Sequence, residues 1–254
     1  MGTFLHDMSP SVEATLFAAA MLIAWGVGWK WGAWRRELAA GDGGRLNEAI
    51  LALLGLLLAF TVSMSLGKHD QRRQMMVTDS NAIGDFLTCV QLLEDSHRAP
   101  LEAVLRKYVE ARLALVAASP PPDEFERRLT ALEAMQSEML AQVGTAIRSG
   151  TPIAMPLVMT LNEVTSSHAA RLAAFRDRLP GSVVLTLLIA AGLSMAMTGY
   201  RQGLTGDWRL GGPIGFTFLV SLTVGVALDL NQPQSGWIRV SQEPLQRLLR
   251  SIQS

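Results

Sequence analysis

Six residues, Leu54, Leu58, Thr61, Ser65, Lys68 and Arg72, step along the chain by four, three, four, three and four. That spacing holds them on one seam of a helix. The seam passes from apolar through hydroxyl to basic. A pore walled by such helices would have a hydrophobic constriction, which gates by dewetting, and a positive mouth, which favours anions. A second stripe of the same helix reads Gly55, Ala59, Ser63 and Gly67, one small residue every four. This pattern lets membrane helices approach closely. One helix thus offers a candidate lining face and a candidate packing face. Thr61 and Ser65 also fit a simpler role, bonding back to carbonyls four residues earlier.

Other chemistry is thin. His6, His69, His97 and His168 are scattered, and neither an HExxH nor a clustered Cys/His spacing occurs. Glu94, Asp95 and His97 fall in "LEDSHRAP", which reads as a solvated helix end rather than a metal site. Cys89, the single cysteine, lies on an apolar helix side. No serine stands beside a convincing base. The expectation is a protein that is not an enzyme and carries no metal and no cofactor.

The elements that must hold the seam are membrane spans. Of 254 residues, 49% are apolar and 17% charged, where a soluble domain carries nearer a quarter charged. Net charge is zero, so nothing draws the chain to nucleic acid. Four runs approach the roughly 20 apolar residues that cross a bilayer: 12–31, 48–67, 181–200 and 211–229. The first lacks a basic leader and a small-residue cleavage site, so it reads as a retained span. Trp25, Trp29, Trp31 and Trp34 with Lys30, Arg35 and Arg36 form an aromatic and basic belt at its end.

Residues 68–179 differ. Apolar side chains recur at helical spacing: Met76, Ile83, Phe86, Leu87, Val90 and Leu93, then Leu101, Val104, Leu105, Tyr108 and Arg112, then two further stripes. Pro100 and Pro122 suit the first turns of helices. The expected fold is an all-α membrane protein: four transmembrane helices with an extramembrane four-helix insert between the second and third. Residues 230–254 follow as a tail. Pro233 and Gly236 turn the chain, and Leu245, Leu248, Leu249 and Ile252 make one face of a last helix that docks on the insert. Asp229, Asn231 and Pro233 are expected to form a structural clasp. An acid at a helix C-terminus opposes the macrodipole and needs a partner, for which Arg72 or Arg73 is the candidate.

The stretch "LLGLLLAFTVS", the pieces Asn81–Gly84 and Tyr108–Arg112, and the tail Asp229–Ser241 together resemble a bestrophin-like family of bacterial membrane proteins. Two positions depart from it: Asp79-Ser80 stands where Glu-Ala is usual, and Asn231 where a second Asp is usual. The resemblance implies an oligomeric ion channel, pentameric as bestrophins are, conducting small anions through a central pore lined by the second span. A non-conducting membrane module, whose insert binds a partner or senses a signal, is the alternative. The implied partners are the lipid bilayer, small inorganic ions and further copies of the chain; the implied location is the bacterial inner (plasma) membrane, multi-pass. Lys and Arg in the short loops (Lys30, Arg35, Arg36, Arg45, Arg201, Arg209) lean the insert to the periplasm. Resemblance to bestrophins places it in the cytosol.

Overall fold

A computed structural model describes residues 10–35, 44–118, 121–232, 236–238 and 240–253. Eight helices follow in order: α1 Pro10–Trp34, α2 Gly44–Gln91, α3 Asp95–Ala118, α4 Pro122–Arg148, α5 Ala154–Arg176, α6 Gly181–Thr205, α7 Gly211–Asn231 and α8 Glu243–Gln253. No strand occurs among the described residues. The chain is an all-α membrane protein. Four apolar stretches long enough to span a bilayer lie in α1, the first half of α2, α6 and α7. Helix starts follow proline: Pro122 at the head of α4, Pro156, Pro213 and Pro244 in the first turns of α5, α7 and α8, where a missing N–H costs nothing. Pro100 is different. It sits inside α3, a turn past the start.

The chain divides into two compact units, residues 1–69 with 178–238, and 70–177 with 239–254. The first contains the spans. Its core gathers Phe17, Met21 and Trp25 of α1, Leu54 of α2, Leu187, Ala191 and Met195 of α6, and Val220, Val224 and Leu228 of α7. α1 and α6 pack backbone to backbone. A Cβ built on Gly28 would lie 2.0 Å from the Ala196 oxygen, and one on Gly32 2.1 Å from the Tyr200 oxygen. From the other side, a Cβ on Gly199 would lie 2.1 Å from the Trp25 oxygen, and one on Gly203 2.3 Å from the Trp29 oxygen. Two small-xxx-small pairs therefore face each other, Gly28 and Gly32 against Gly199 and Gly203. The tryptophan belt closes over this crossing. Trp25 Nε1 donates to Gln202 Oε1 at 2.8 Å, and Trp29 stacks edge-on against Trp208 at 4.4 Å. The opposite sides are greasy and open: Ile23 and Val27, Leu185 and Ile189, Phe218, Leu219 and Leu222 are all exposed, as side chains facing lipid are.

The second unit is the insert. The far half of α2 packs with α3, α4 and α5 around Met76, Ile83, Phe86, Leu101, Leu105, Tyr108, Leu132, Met139 and Leu157. α8 joins this core. Leu245 is fully buried in it, with Leu248, Leu249 and Ile252 against its edge.

Candidate functional site

The seam expected to line a pore turns inward. Leu54 is 1% exposed, Thr61 5%, Ser65 0% and Arg72 6%, and Leu58 and Lys68 are half-buried. Leu58 and Thr61 border a small apolar void together with Val184 and Leu187 of α6 and Val224 and Leu228 of α7. Burial against its own protomer leaves this seam little surface to offer an axis shared with other copies. Thr61 takes the simpler role, its hydroxyl donating to the Leu57 carbonyl at 2.8 Å. Arg72 is buried as well. Its guanidinium donates to the carbonyls of Ala174 at 3.2 Å and Asp177 at 2.7 Å, closing the end of α5.

The face that stays open is the opposite one. Leu56, Phe60, Ser63, Gly67, Asp70 and Gln74 repeat the same four-three spacing two residues along, and all six are exposed. Gly55, Ala59, Ser63 and Gly67, read as a packing stripe, lie on this exposed side, and a Cβ on Gly55 or Gly67 would meet nothing within 4 Å. Among the described residues that stripe is left uncovered. Arg73 is exposed beside Asp70.

Within the insert, one carboxylate gathers three helices and the tail. Asp79 of α2 is wholly buried. Arg112 of α3 reaches it with both terminal nitrogens, at 2.8 and 2.6 Å. Arg171 of α5 adds a contact at 3.1 Å and Ser167 one at 3.3 Å. The other nitrogen of Arg171 donates to Gln242 Oε1 at 3.0 Å, just before α8. Arg112 also lies over the Tyr108 ring, 5.3 Å from its centroid, and donates to the Tyr108 oxygen at 3.4 Å. Gln136 of α4 donates to that oxygen at 2.9 Å. So every helix of the insert touches this network. Two guanidiniums meet one carboxylate, leaving an excess positive charge in a buried place.

Electrostatics at the network follow from burial. Burial pushes the Tyr108 phenol above its ordinary value. It pulls Arg171 down to about 10, assisted by the like charge of Arg112 and opposed by Asp79. His168, on α5 outside the spans, meets the Tyr108 ring edge-on at 6.2 Å. Burial and then Arg112 lower it to about 4, so it is neutral at pH 7. The sequence carried a signal for this network. Asp79 sits between Met76 and Ile83 on one apolar stripe, and Arg112 follows Tyr108 on another; opposite charges on two buried faces seek each other.

The tail's acid finds a different partner from the arginines expected. Asp229 is 9% exposed, and its carboxylate accepts the backbone N–H groups of Trp237 at 2.8 Å and Ile238 at 3.0 Å. Gly236 lies so close that a Cβ there would be 2.9 Å from Asp229 Oδ1. Two peptide donors thus offset the unfavourable placement of an anion at a helix C-terminus. Asn231 accepts the Leu179 N–H through Oδ1 at 2.8 Å. Pro233 lies outside the described residues.

The profile of the Bestrophin-like domain family matches residues 16–245. A crystal structure of a bacterial bestrophin homologue from Klebsiella pneumoniae, determined with a tryptophan-to-alanine mutation, shares the fold. It aligns with a TM-score of 0.65 at 14% identity, over 99% of this chain and 96% of that one. Among curated proteins none matches.

Proposed function

The chain belongs to the bestrophin-like family, and from that membership we propose that it is one subunit of a ring-shaped ion channel, with α2 lining the pore. The observation that carries this reading is the asymmetry of α2. Its seam from Leu54 to Arg72 is buried, while the face from Leu56 through Ser63 to Gln74 is open and carries small and hydroxyl residues among its apolar ones. Gly55, Ala59, Ser63 and Gly67 let copies of α2 approach an axis closely. Leu56 and Phe60 supply the apolar constriction. Five copies are the number the family resemblance suggests. The permeant species are small inorganic ions. The preference for anions rested on Lys68 and Arg72, and Arg72 is engaged with carbonyls. Asp70 and Arg73 now stand at that end of the open face, and the sign of selectivity is read from a reversal potential in a salt gradient.

The protein is assigned to the bacterial inner membrane with the insert in the cytosol, as the bestrophin plan has it. Lys68, Arg73, Arg176 and Arg178 flank the spans on the insert side and agree with the excess of basic residues expected there. A fluorescent protein fused after the last residue should fluoresce; an active alkaline phosphatase fusion at the same place reverses the orientation.

The test of conduction uses cysteine accessibility. Purified protein in planar bilayers should carry a current. In a Cys89→Ala background, Ser63→Cys should be blocked by a charged thiol reagent, and Ser65→Cys, on the buried seam, should not. Absence of current from an intact oligomer, or block at Ser65 and not at Ser63, overturns this reading.

A further inference from the structure

Trp237 is 95% exposed, the highest value among the large apolar side chains described. Exposure alone would mean little at a loop. Here the backbone beneath the side chain is fixed. The Trp237 and Ile238 N–H groups are both held by the Asp229 carboxylate, and Gly236 is pressed against the same residue. The turn is built onto the last turn of α7, so it has the position of the span's end. Asn231, two residues beyond Asp229, accepts the N–H of Leu179, and α6 begins at Gly181. The ends of two spans therefore meet at this level.

The other five tryptophans mark the opposite edge. Trp25, Trp29, Trp31 and Trp34 occupy the end of α1, and Trp208 lies between α6 and α7. Indole rings concentrate at both faces of a bilayer, because an apolar body and one N–H donor suit the headgroup boundary. We propose that the Gly236–Ile238 turn is the second interfacial anchor of the protein, with the Trp237 indole, and Ile238 at 43% exposure beside it, seated in the phospholipid headgroup region. The occupant is lipid. An almost wholly uncovered indole at the end of a span lies where headgroups are, and the apolar sides of α6 and α7 leading to it are exposed too.

Depth-dependent fluorescence quenching tests this. Wild type and Trp237→Phe are reconstituted into phosphatidylcholine vesicles carrying a quencher at the headgroup, mid-chain or chain end. The emission lost in Trp237→Phe is that of Trp237. It should be quenched several-fold more by the headgroup quencher than by the chain-end quencher, and little by aqueous iodide. Strong iodide quenching with no lipid quenching overturns the proposal in favour of water. Shielding from both quenchers overturns it in favour of a second copy of the chain. Asp229→Ala frees the turn and should abolish the depth dependence of Trp237, while quenching of the five belt tryptophans is kept. If Asp229→Ala does not fold, the wild-type and Trp237→Phe comparison decides alone.

Discussion

Replacing Asp79 by Asn keeps the shape of the side chain and removes its charge. In the protein that carboxylate accepts four hydrogen bonds, two from Arg112, one from Arg171 and one from Ser167. The Arg112 side chain is 3% exposed and that of Arg171 17%. Neither can turn to water without unpacking the insert. Asp79→Asn therefore leaves two unpaired cations and points an amide N–H₂ at guanidinium donors. Breaking a buried pair in this way costs about 3–5 kcal/mol. Whole-domain stabilities are only about 5–15 kcal/mol. At roughly 2–4 °C per kcal/mol, the unfolding midpoint of the detergent-solubilised protein should fall by roughly 6–20 °C, measured by circular dichroism. Removing a surplus cation should recover part of this, so Asp79→Asn with Arg171→Gln should be less damaged than the sum of the two single changes. A fall of less than about 2 °C for Asp79→Asn, or strict additivity in the double variant, refutes the claim that this carboxylate neutralises both arginines.

Gly199→Ala should destabilise the α1–α6 pair by at least about 1–3 kcal/mol, because the added carbon would sit 2.1 Å from the Trp25 oxygen; Gly26→Ala, with nothing within 4 Å, should be harmless, and equal midpoints for the two would defeat the reasoning. Leu245→Ala, at a fully buried position, should cost about 2–5 kcal/mol and expose α8 to protease, which gel analysis of timed digests reads out. His168 is held at about 4, below its ordinary 6.5. The unfolded chain therefore binds the proton first, and stability should fall as pH drops from 6.5 towards 4 and be unaffected above 6.5. His168→Gln should flatten that stretch of the midpoint-versus-pH curve; an unchanged slope assigns the acid sensitivity elsewhere.

The spans were legible because hydrocarbon tolerates few charges, and the apolar runs from Val12, Glu48, Gly181 and Gly211 lie within the helices α1, α2, α6 and α7. The last helix was legible for the opposite reason: Leu245, Leu248, Leu249 and Ile252 against Arg247 and Arg250 make an apolar face that water would not leave bare. Which face of α2 is buried was not legible. In a soluble helix, polarity tells outside from inside. In a membrane, lipid is as apolar as a packed core, so Thr61 and Ser65 fit an aqueous pore and a neighbouring helix equally well. The side chains of α6 and α7 around Leu58 and Thr61 favour the neighbouring helix. The network at Asp79 was half legible, since its two strongest partners stand 33 residues apart and no local pattern joins them. Asp229 invited an arginine on charge grounds, yet peptide N–H groups eight and nine residues on lay nearer along the chain.

The four glycines between α1 and α6 act as a mechanical detent. Each notch accepts a neighbouring carbonyl at one register, and a slide of a single residue would drive the side chain of Trp29 or Tyr200 into backbone. These two helices can rock together but cannot ratchet past one another. Any rearrangement among the spans would then fall to α2 and α7 rather than to the α1–α6 crossing.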